Sequence, residues 1–467
     1  MTHEFVPIAD EQTPEGKVAD KVIYQPTCGL ISPGGLIDQV YNPETGKVAF
    51  ATFVVKDGSR GIVSAKGIKY GDRRFVPLKD DLIFRGVVRL PQCSTPYGTQ
   101  HTLVAELESH IRRYVVLPNA TSTSLLAAYV LFTWVYDRFQ TAPYLRFIGD
   151  FGSGKSTAAQ VIGDLCFRAI VGQGNASPAT LYRVLEQVGG GTLVLDETDF
   201  NLKNYADQEK MMILRSGYQR YTSTVLKQVP IEGSAYRTQA FSAFGPKILA
   251  GRSNFPDAAL ESRCIRVVMQ SSAEMGNVPH ERPEEYEHQA LQLRNKLLHW
   301  RQDHFFKALR DVEPIADVEG RMLQLYIPLA QLIEDVPTLE ALRGMVVELQ
   351  ADITDARYSS KEACVASALV IEWNRAPGHG RKKVHVARIA TVASMKIVGQ
   401  FGVGEAYTSR DVCTTLRAFG MIPERDSEGR FVVYHPREFE SVMNKYGVAL
   451  PGDGGSQSVD GVDNVAA

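Results

Sequence analysis

The sequence has no Cys-x-x-Cys pair, no apolar run that could cross a bilayer and almost no net charge. Its six cysteines lie far apart in 467 residues, which argues against a sequence-local zinc knuckle and indicates free thiols in a reducing compartment. The most apolar stretch, residues 125–136, is about three-fifths of the length that spans a bilayer and is typical of a buried helix. With a formal net charge of −2, any nucleic-acid binding must use local basic patches.

The amino terminus shows no basic region followed by a long apolar one, so we expect no signal peptide and a cytoplasmic protein. A hydrophobic fraction of 44% and a charged fraction of 22% are those of a globular protein, and the length exceeds what one core can serve. We therefore expect two or three domains and no membrane partner.

One motif is highly specific. Residues 149–157 match the phosphate-binding pattern G-x-x-x-x-G-K-[ST]. The glycines let backbone N–H groups approach phosphate oxygens, Lys155 supplies charge for the β- and γ-phosphates of ATP, and Ser156 offers a hydroxyl to Mg²⁺. The candidate nucleotide-binding residues are Gly149, Asp150, Phe151, Gly152, Ser153, Gly154, Lys155, Ser156 and Thr157.

The flanking residues suit this motif. An apolar run, 144–148, predicts a buried strand before the loop, and residues 156–165 have the apolar spacing of a helix after it. The helix dipole would then favour an anion at the loop.

A second apolar strand, 192–195, ends in Asp196 and Glu197. An Asp at such a strand end can hold Mg²⁺, and the adjacent Glu can polarise a water for attack on the γ-phosphate. Taken alone, the pair would more readily be interpreted as acids at the start of a helix after a buried strand. Beside the loop, it favours ATP hydrolysis. Asp199 is interpreted as a cap of the next helix.

A third strand, 247–250, leads to Asn254, which could orient the attacking water or simply begin the turn before Phe255. Strand candidates at 145–148, 168–171, 192–195, 247–250 and 264–269 alternate with helices, which predicts a parallel α/β sheet.

The loop, the Asp-Glu strand, the Asn-ended strand and Leu-Glu-Ser-Arg-Cys at 260–264 together resemble the AAA+ ATPases. Residues 134–139 and 241–263 are most similar to the helicase-like members of phages, plasmids and integrated elements. The likeness covers about residues 110–335. It implies ATP and Mg²⁺ as cofactors and a homo-oligomeric ring, expected to be a hexamer.

The resemblance also implies roles for three features. Arg263 would be an arginine finger that reaches the γ-phosphate of the next subunit, with an intrasubunit salt bridge as the alternative. Arg321 could be a lid arginine that senses the γ-phosphate, with pairing to Glu319 as the alternative. Strands around residues 230–234 predict a hairpin for the ring pore, where Lys227, Arg237 and Tyr236 would contact DNA, or a hairpin packed on the sheet.

The carboxy-terminal region contains the densest basic run, with Arg381, Lys382 and Lys383. A helix is predicted to start at Thr408 or Ser409 and to end before Gly420, followed by two strands from 422 to 434. This pattern resembles a winged helix, used either on DNA or for protein contacts. The candidate DNA contacts in the helix and wing are Arg410, Arg417 and Arg430.

The predicted fold class is α/β: a P-loop AAA+ core with a parallel sheet, a β-rich N-terminal domain and a C-terminal winged-helix-like domain. The β-rich domain is predicted to span residues 1–100, with strands at 49–55, 61–65, 75–77 and 82–88. The core and its preceding helices are predicted at 101–275, and a helical lid or linker at 276–378. The winged-helix-like domain is predicted at 379–448, and a disordered tail at 449–467.

The leading functional hypothesis is an ATP-driven DNA translocase or helicase that acts in replication of a mobile element. The alternatives are an AAA+ loader or switch that remodels a protein–DNA complex without unwinding, and a nucleotide-gated assembly ATPase without nucleic acid. A basic hairpin and a winged helix would favour the first two, because an ATPase that does not act on DNA needs neither.

Overall fold

The computed structural model describes residues 6–7, 21–24, 28–32, 35–63, 67–70, 73–230, 236–270, 278–279, 281–316, 318–402 and 407–450. The chain divides into two compact units, Met1–Val347 and Glu348–Ala467. Across the described ranges, no helix combines the length and apolarity that a bilayer span requires. The predicted disordered tail, 449–467, lies almost wholly outside the described residues.

The first unit opens with eight strands. They are β1 (Val6–Pro7), β2 (Lys21–Tyr24), β3 (Cys28–Ser32), β4 (Gly35–Asn42), β5 (Lys47–Val54), β6 (Arg60–Val63), β7 (Ile68–Tyr70) and β8 (Arg73–Val76). They form two four-stranded sheets, with the orders β1-β7-β8-β2 and β3-β4-β5-β6. The predicted β-rich character of this region is confirmed.

The predicted strand at 82–88 is wrong. Residues Asp81–Phe84 form a short helix, α1, and only Val88–Arg89 form a strand, β9. The Asp80 side chain accepts a hydrogen bond from the Leu82 backbone N–H, which is the N-cap geometry that starts a helix. This local cap outweighs the β-forming character of the apolar residues that follow it.

The central sheet carries five parallel strands, as predicted. They are β10 (Tyr144–Ile148), β11 (Ala169–Gln173), β12 (Leu193–Asp196), β15 (Lys247–Gly251) and β16 (Cys264–Val268). The order across the sheet is β16-β10-β15-β12-β11-β9, in which only β9 is antiparallel. Strand β10 is buried at all five positions, as a central parallel strand covered on both faces should be.

Helices connect and cover these strands. They are α2 (Gln100–Tyr114), α3 (Ala120–Val135), α4 (Lys155–Leu165), α5 (Pro178–Val188), α6 (Tyr205–Ser216), α7 (Ala258–Glu261), α8 (Glu285–His304) and α9 (Gly320–Ala330), with α10 (Val336–Tyr358) continuing into the second unit. Helix α3, which contains the apolar stretch 125–136, is buried almost all round, and its N-cap is Asn119.

The predicted hairpin is present as β13 (Thr224–Pro230) and β14 (Tyr236–Ser242). The two strands pair antiparallel from Thr224 opposite Ser242 to Pro230 opposite Tyr236. Of the predicted turn, residues 230–234, Pro230 belongs to β13, and the other four residues lie outside the described part of the chain.

The second unit contains α11 (Lys361–Arg375), β17 (Lys382–His385), α12 (Val386–Phe401), α13 (Ser409–Ala418), β18 (Glu424–Asp426), β19 (Gly429–Tyr434) and α14 (Glu440–Lys445). The strands form an antiparallel sheet with the order β17-β19-β18. Thr408 caps α13 through a capping box with Asp411, which confirms the predicted start of this helix.

A buried ion cluster joins the amino-terminal sheet to the helices of the first unit. Arg301 on α8 donates to Asp38 on β4 at 2.9 Å and to both carboxylate oxygens of Asp137 at 2.9 and 2.7 Å. Burial alone lowers the pKa of Arg301, but the two carboxylates outweigh burial and raise this pKa above its ordinary value. The guanidinium is fully buried, so its removal would leave two carboxylates without their cation.

We predict that Arg301→Met lowers the free energy of unfolding by about 3–5 kcal/mol, the usual effect of breaking a buried ion pair from one side. Urea unfolding followed by the fluorescence of the buried Trp134 and Trp300 measures this. Arg85→Met is the control, because the Arg85–Asp81 pair is mostly exposed and should change stability by less than about 1 kcal/mol. Equal effects of the two substitutions would contradict the structural role of the cluster.

Candidate nucleotide-binding site

A glycine-rich loop connects the carboxyl end of β10 to α4, which begins at Lys155. Gly152 and Gly154 have φ angles of +78° and +81°, which favour glycine. A Cβ atom at Gly149 would lie 2.5 Å from the Met269 carbonyl oxygen and 2.5 Å from Ser153 Oγ. All three glycines of this loop are therefore required by its backbone path.

The start of α4 has no side-chain cap, because Gly154 occupies the N-cap position. The first N–H groups of this 11-residue helix are consequently left for a ligand, at the positive end of the helix dipole. Within the described part of the chain, Ser153 Oγ is buried without a hydrogen-bond partner, and Lys155 Nζ donates only to the Asp150 carbonyl oxygen, at 3.1 Å. Phe151 projects from the loop and is 88% exposed.

The Asp-Glu pair lies at the same edge of the sheet as the loop. Strands β10, β15 and β12 are adjacent and parallel, so their carboxyl ends meet there. Asp196 Oδ1 accepts a hydrogen bond from the Glu197 backbone N–H at 2.9 Å, and the Glu197 side chain is exposed. Glu197 has φ +54°, a conformation that non-glycine residues rarely adopt and that is common at functional sites.

Gly174, a residue that sequence analysis did not single out, supports this turn. Its N–H donates to the Asp196 carbonyl oxygen at 2.6 Å. A Cβ atom at Gly174 would lie 2.3 Å from the Glu197 carbonyl oxygen and 2.6 Å from that of Asp196. Any side chain at this position must therefore displace the two acids.

Asn254 follows β15, the strand between the other two. The Gly149 N–H donates to the Gly251 carbonyl oxygen at 3.3 Å, which brings the end of β15 against the start of the loop. Asn254 is exposed beyond this point. Asp199 does not cap the next helix, because Asn204 is the N-cap of α6; instead Asp199 Oδ1 accepts from the Arg252 N–H at 2.7 Å.

A buried arginine ties these strand ends together. Arg146 lies on β10 and is 1% exposed. Its Nη1 donates to Thr198 Oγ1 at 3.1 Å, and its Nη2 donates to the Ser253 carbonyl oxygen at 2.5 Å. Its guanidinium also lies 3.3 Å from the ring centre of Phe255. Burial lowers the pKa of Arg146, and Glu261, 3.6 Å from Nε, partly compensates for this.

The contacts of Arg146 with Thr198 and Ser253 position the two polar residues Glu197 and Asn254. Thr198 directly follows Glu197, and Ser253 directly precedes Asn254. One side chain on the loop-bearing strand thus fixes the segments that carry both other polar groups. The sequence motif gave no indication of this arrangement, because Arg146 is one letter in an otherwise apolar strand.

A cavity of about 220 Å³ adjoins the loop. Its apolar wall comes from Val115, Val116, Val161 and Pro279. The cavity is lined by Tyr114, Val115, Val116, Ser153, Gly154, Thr157, Gln160, Val161, Gln270, Val278, Pro279 and Arg282. It combines apolar side chains with a few polar ones, as sites for a flat heterocyclic base do. Sequence analysis missed it because its walls come from three distant segments.

The donor set fits a hard divalent cation held jointly with a ligand. Among the described residues, no three His, Cys, Asp or Glu side chains form a metal cluster by themselves. Mg²⁺ is commonly held by one or two protein oxygens together with phosphate oxygens and water. The hydroxyl of Ser156 and the carboxylate of Asp196 are oxygen donors of this kind, placed at one edge of the sheet.

Arg263 and Arg321 lie elsewhere. The Arg263 carbonyl oxygen accepts from the Tyr144 N–H at 3.0 Å, so this residue lies at the amino end of β10, the edge opposite the loop. Arg321, at the start of α9, contacts the ring of Tyr218, as Arg263 does. Arg321 therefore lies near Arg263 and away from the loop of its own chain, and the prediction that it senses a γ-phosphate stays a prediction.

The hairpin residues predicted to contact DNA differ in their surroundings. Lys227 forms an ion pair with Glu209 on α6, which raises the pKa of the lysine. Tyr236 is 69% exposed, and Arg237 is exposed as well. Arg237 and Tyr236 are therefore better placed for a ligand than Lys227.

In the second unit, most of the predicted DNA contacts have partners within the chain. Arg381 pairs with Glu438 at 2.7 Å, and Lys383 pairs with Asp426. Lys382 Nζ donates to the backbone carbonyls of Trp373 and Ala376 at 3.0 and 2.7 Å, which stabilises the end of α11.

The remaining three predicted contacts lie on α13 and β19. Arg430 Nη1 donates to Cys413 Sγ at 3.7 Å. Arg410 and Arg417 are exposed on α13. The surface basic charge is therefore smaller than the sequence indicates.

Comparison with known proteins gives limited guidance. No protein-family model and no curated protein matches the chain significantly. Among solved structures, the apo C-terminal region of NrS-1 is similar at 11% identity, with a TM-score of 0.36 and coverage of 85% of this chain and 96% of that one. The Cch helicase of SCCmec type IV is similar at 13% identity, with a TM-score of 0.37 and coverage of 88% and 95%.

The JCV helicase is similar at 14% identity, with a TM-score of 0.22 and coverage of 56% of this chain and 64% of that one. Structural similarity at these identities and TM-scores does not support an inference about activity. Function therefore has to be derived from the geometry of the site itself.

We predict that Gly174→Ala lowers ATP hydrolysis by at least about 10-fold, because displacement of the Asp196–Glu197 turn by even 1 Å moves the Glu197 carboxylate, the candidate catalytic group, relative to the loop. Nucleotide binding, which depends on the loop after β10, should stay close to wild type. Steady-state hydrolysis and binding of a fluorescent ATP analogue measure the two effects.

Gly172→Ala, two residues earlier in β11, is the matched control, since a Cβ atom there would lie at an ordinary 3.7 Å from Leu195 Cδ2. Loss of nucleotide binding in Gly174→Ala, or an equal loss of hydrolysis in both variants, would contradict the positioning role of Gly174.

Proposed function

We propose that the chain is a P-loop ATPase of the AAA+ class that assembles into a hexameric ring and translocates on DNA. The observation that supports it most is the convergence of the glycine loop, the Asp196–Glu197 turn and Asn254 at the carboxyl ends of three adjacent parallel strands. Ligands of open parallel sheets bind at this edge.

Each residue has a defined role in this proposal. The loop N–H groups and Lys155 hold the β- and γ-phosphates, and Ser156 and Asp196 hold Mg²⁺. When bound, Mg²⁺ neutralises charge that develops on the phosphate oxygens. Glu197 accepts a proton from the attacking water, and Asn254 orients that water.

The site of one subunit is incomplete. Arg263 lies at the amino ends of the strands, so it cannot reach the loop of its own subunit and is available to a neighbour. In a head-to-tail ring, this edge of one subunit faces the loop of the next. Arg263 then stabilises the charge of the transferring phosphoryl group in trans.

The DNA-binding part of the proposal depends on the hairpin and the second unit. Arg237 and Tyr236 at the exposed end of β14 can contact a phosphate and stack on a base. In the second unit, the order helix, strand, two helices and hairpin, with the sheet order β17-β19-β18, supports a winged helix. Arg410 and Arg417 on its exposed helix are the candidate groove contacts.

One observation favours the alternative of a loader that remodels a protein–DNA complex without unwinding. Lys227, Arg381 and Lys383 are neutralised by Glu209, Glu438 and Asp426. These partners reduce the charge available to a tightly held DNA strand.

We predict that Glu197→Gln lowers the hydrolysis rate by about 10²- to 10⁴-fold while nucleotide binding is retained, because the carboxylate acts on the water and not on the bound nucleotide. Single-stranded DNA should stimulate the wild-type rate, and a forked duplex should be unwound. Glu313→Gln, at an exposed position, is the control and should match wild type. If wild type neither hydrolyses ATP nor binds DNA at low salt, the proposal fails. If DNA stimulates ATP hydrolysis but the forked duplex is not unwound, the result supports the loader alternative.

We further predict that Arg237→Ala weakens binding to single-stranded DNA and reduces the slope of log K against log salt by about 0.7, as the loss of one phosphate contact should. Fluorescence anisotropy across a salt series measures this slope. Lys227→Ala is the comparison, with a smaller expected change because of its pairing with Glu209. A larger effect of Lys227→Ala than of Arg237→Ala would reverse this assignment.

A further inference from the structure

A cluster of cations surrounds Tyr218, a residue with no role in the site described above. The Arg263 and Arg321 guanidinium carbons lie 5.5 and 5.2 Å from the centre of its ring. Tyr218 is fully buried, and it packs edge-on against Tyr144 at 5.8 Å. Its carbonyl oxygen accepts from the Ala142 N–H at 2.9 Å, which fixes the ring at the amino end of β10.

This cluster cannot act on the nucleotide of its own subunit. The loop begins at Gly149, after the carboxyl end of β10, whereas Tyr144 and the Arg263 carbonyl lie at the amino end. A strand rises about 3.3 Å per residue, so the two ends are separated by about 16 Å. An arginine side chain anchored on Tyr218 cannot span this distance, and Arg321 is as remote from its own loop as Arg263 is.

The cluster is also poor in negative charge. Among the described residues, neither Arg263 nor Arg321 has a carboxylate within ion-pair distance, whereas the nearby Arg215 pairs with Asp257 at 3.2 Å. Burial and the positive charge of Arg321 lower the pKa of Arg263. Two neighbouring cations without a counter-charge are stabilised by an anion that arrives from outside.

The cluster also contains a buried donor that lacks an acceptor. Among the described residues, Arg263 Nε forms no hydrogen bond of acceptable geometry. A buried donor without an acceptor is costly unless a ligand supplies one. The oxygens of a terminal phosphate are acceptors of this kind, and a guanidinium pairs with them through two parallel hydrogen bonds.

We propose that Arg321 acts between subunits, binding together with Arg263 the terminal phosphate of the ATP held by the loop of a neighbouring copy of this chain. The proposal rests on the proposed ATPase function and assigns a second arginine to the shared site. Tyr218 is a positioning residue, which holds both guanidinium groups on one ring. At the chain's own loop, Arg263 and Arg321 of the neighbour on the other side bind the terminal phosphate in the same way.

The test uses pairs of inactive chains that are co-expressed with different tags and co-purified. Lys155→Ala removes the loop's function but keeps both arginines, whereas Arg321→Ala keeps the loop. Each variant alone should hydrolyse ATP at least about 100-fold more slowly than wild type. Arg321→Gln repeats the test with a side chain of similar length in case the alanine variant folds poorly, and Arg112→Ala, an exposed arginine on α2, should match wild type.

Mixed assemblies of Lys155→Ala and Arg321→Ala should recover activity. In a random 1:1 assembly, about a quarter of the head-to-tail interfaces join an intact loop to an intact arginine pair, so about a quarter of the wild-type rate per chain is expected. A residue that acts only within its own subunit, or only on stability, gives no recovery, because no chain then contains both functions.

A mixed assembly of Lys155→Ala and Arg263→Ala distinguishes the inference about Arg321 from the more general proposal of a site shared between subunits. Recovery with Arg263→Ala but not with Arg321→Ala overturns the inference about Arg321 and leaves the proposed ATPase standing. Absence of recovery in both pairs overturns the shared site as a whole, and absence of hydrolysis by wild type overturns the proposed function.

Discussion

One buried guanidinium holds the candidate site together. Arg146 occupies the central strand β10 and makes hydrogen bonds to Thr198 beyond β12 and to the backbone of Ser253 beyond β15. A buried cation is expensive to desolvate, and it is tolerated here because carbonyl and hydroxyl oxygens and the face of Phe255 replace its water. The positions of Glu197 and Asn254 relative to the loop follow from these contacts.

The parallel sheet divides the chemistry between two edges. The carboxyl ends of the strands carry the loop, the acids and Asn254, while the amino ends carry Tyr218 with Arg263 and Arg321. No rearrangement of side chains alone can bring the two sets together, because the length of β10 separates them. Under the proposed function, chains must assemble for the two sets of residues to meet, and the nucleotide would be the group that joins one edge to the other.

The sequence correctly predicts the structural features that depend on interactions between residues close together in the chain. The glycine loop, the five parallel strands, the hairpin and the cap at Thr408 all have signals within a few residues, and the structure contains each of them. The strand predicted at 82–88 failed because a single N-cap at Asp80 outweighed the apolar residues after it. Lys382 was predicted as a DNA contact but lies against the end of α11, a contact that no short window of sequence reveals. The cavity, the Arg146 contacts and the position of Arg321 are products of tertiary packing between distant segments.

The central claim is that hydrolysis needs two copies of the chain. The most direct measurement is the rate of ATP hydrolysis per chain across a dilution series, with the mass of the assembly followed by sedimentation velocity at the same concentrations. The rate per chain should fall together with the oligomeric fraction and approach zero in the monomer, since Arg263 and Arg321 of a monomer lie at the opposite edge of the sheet from its own loop. A monomer that hydrolyses ATP at the full rate per chain would contradict the account.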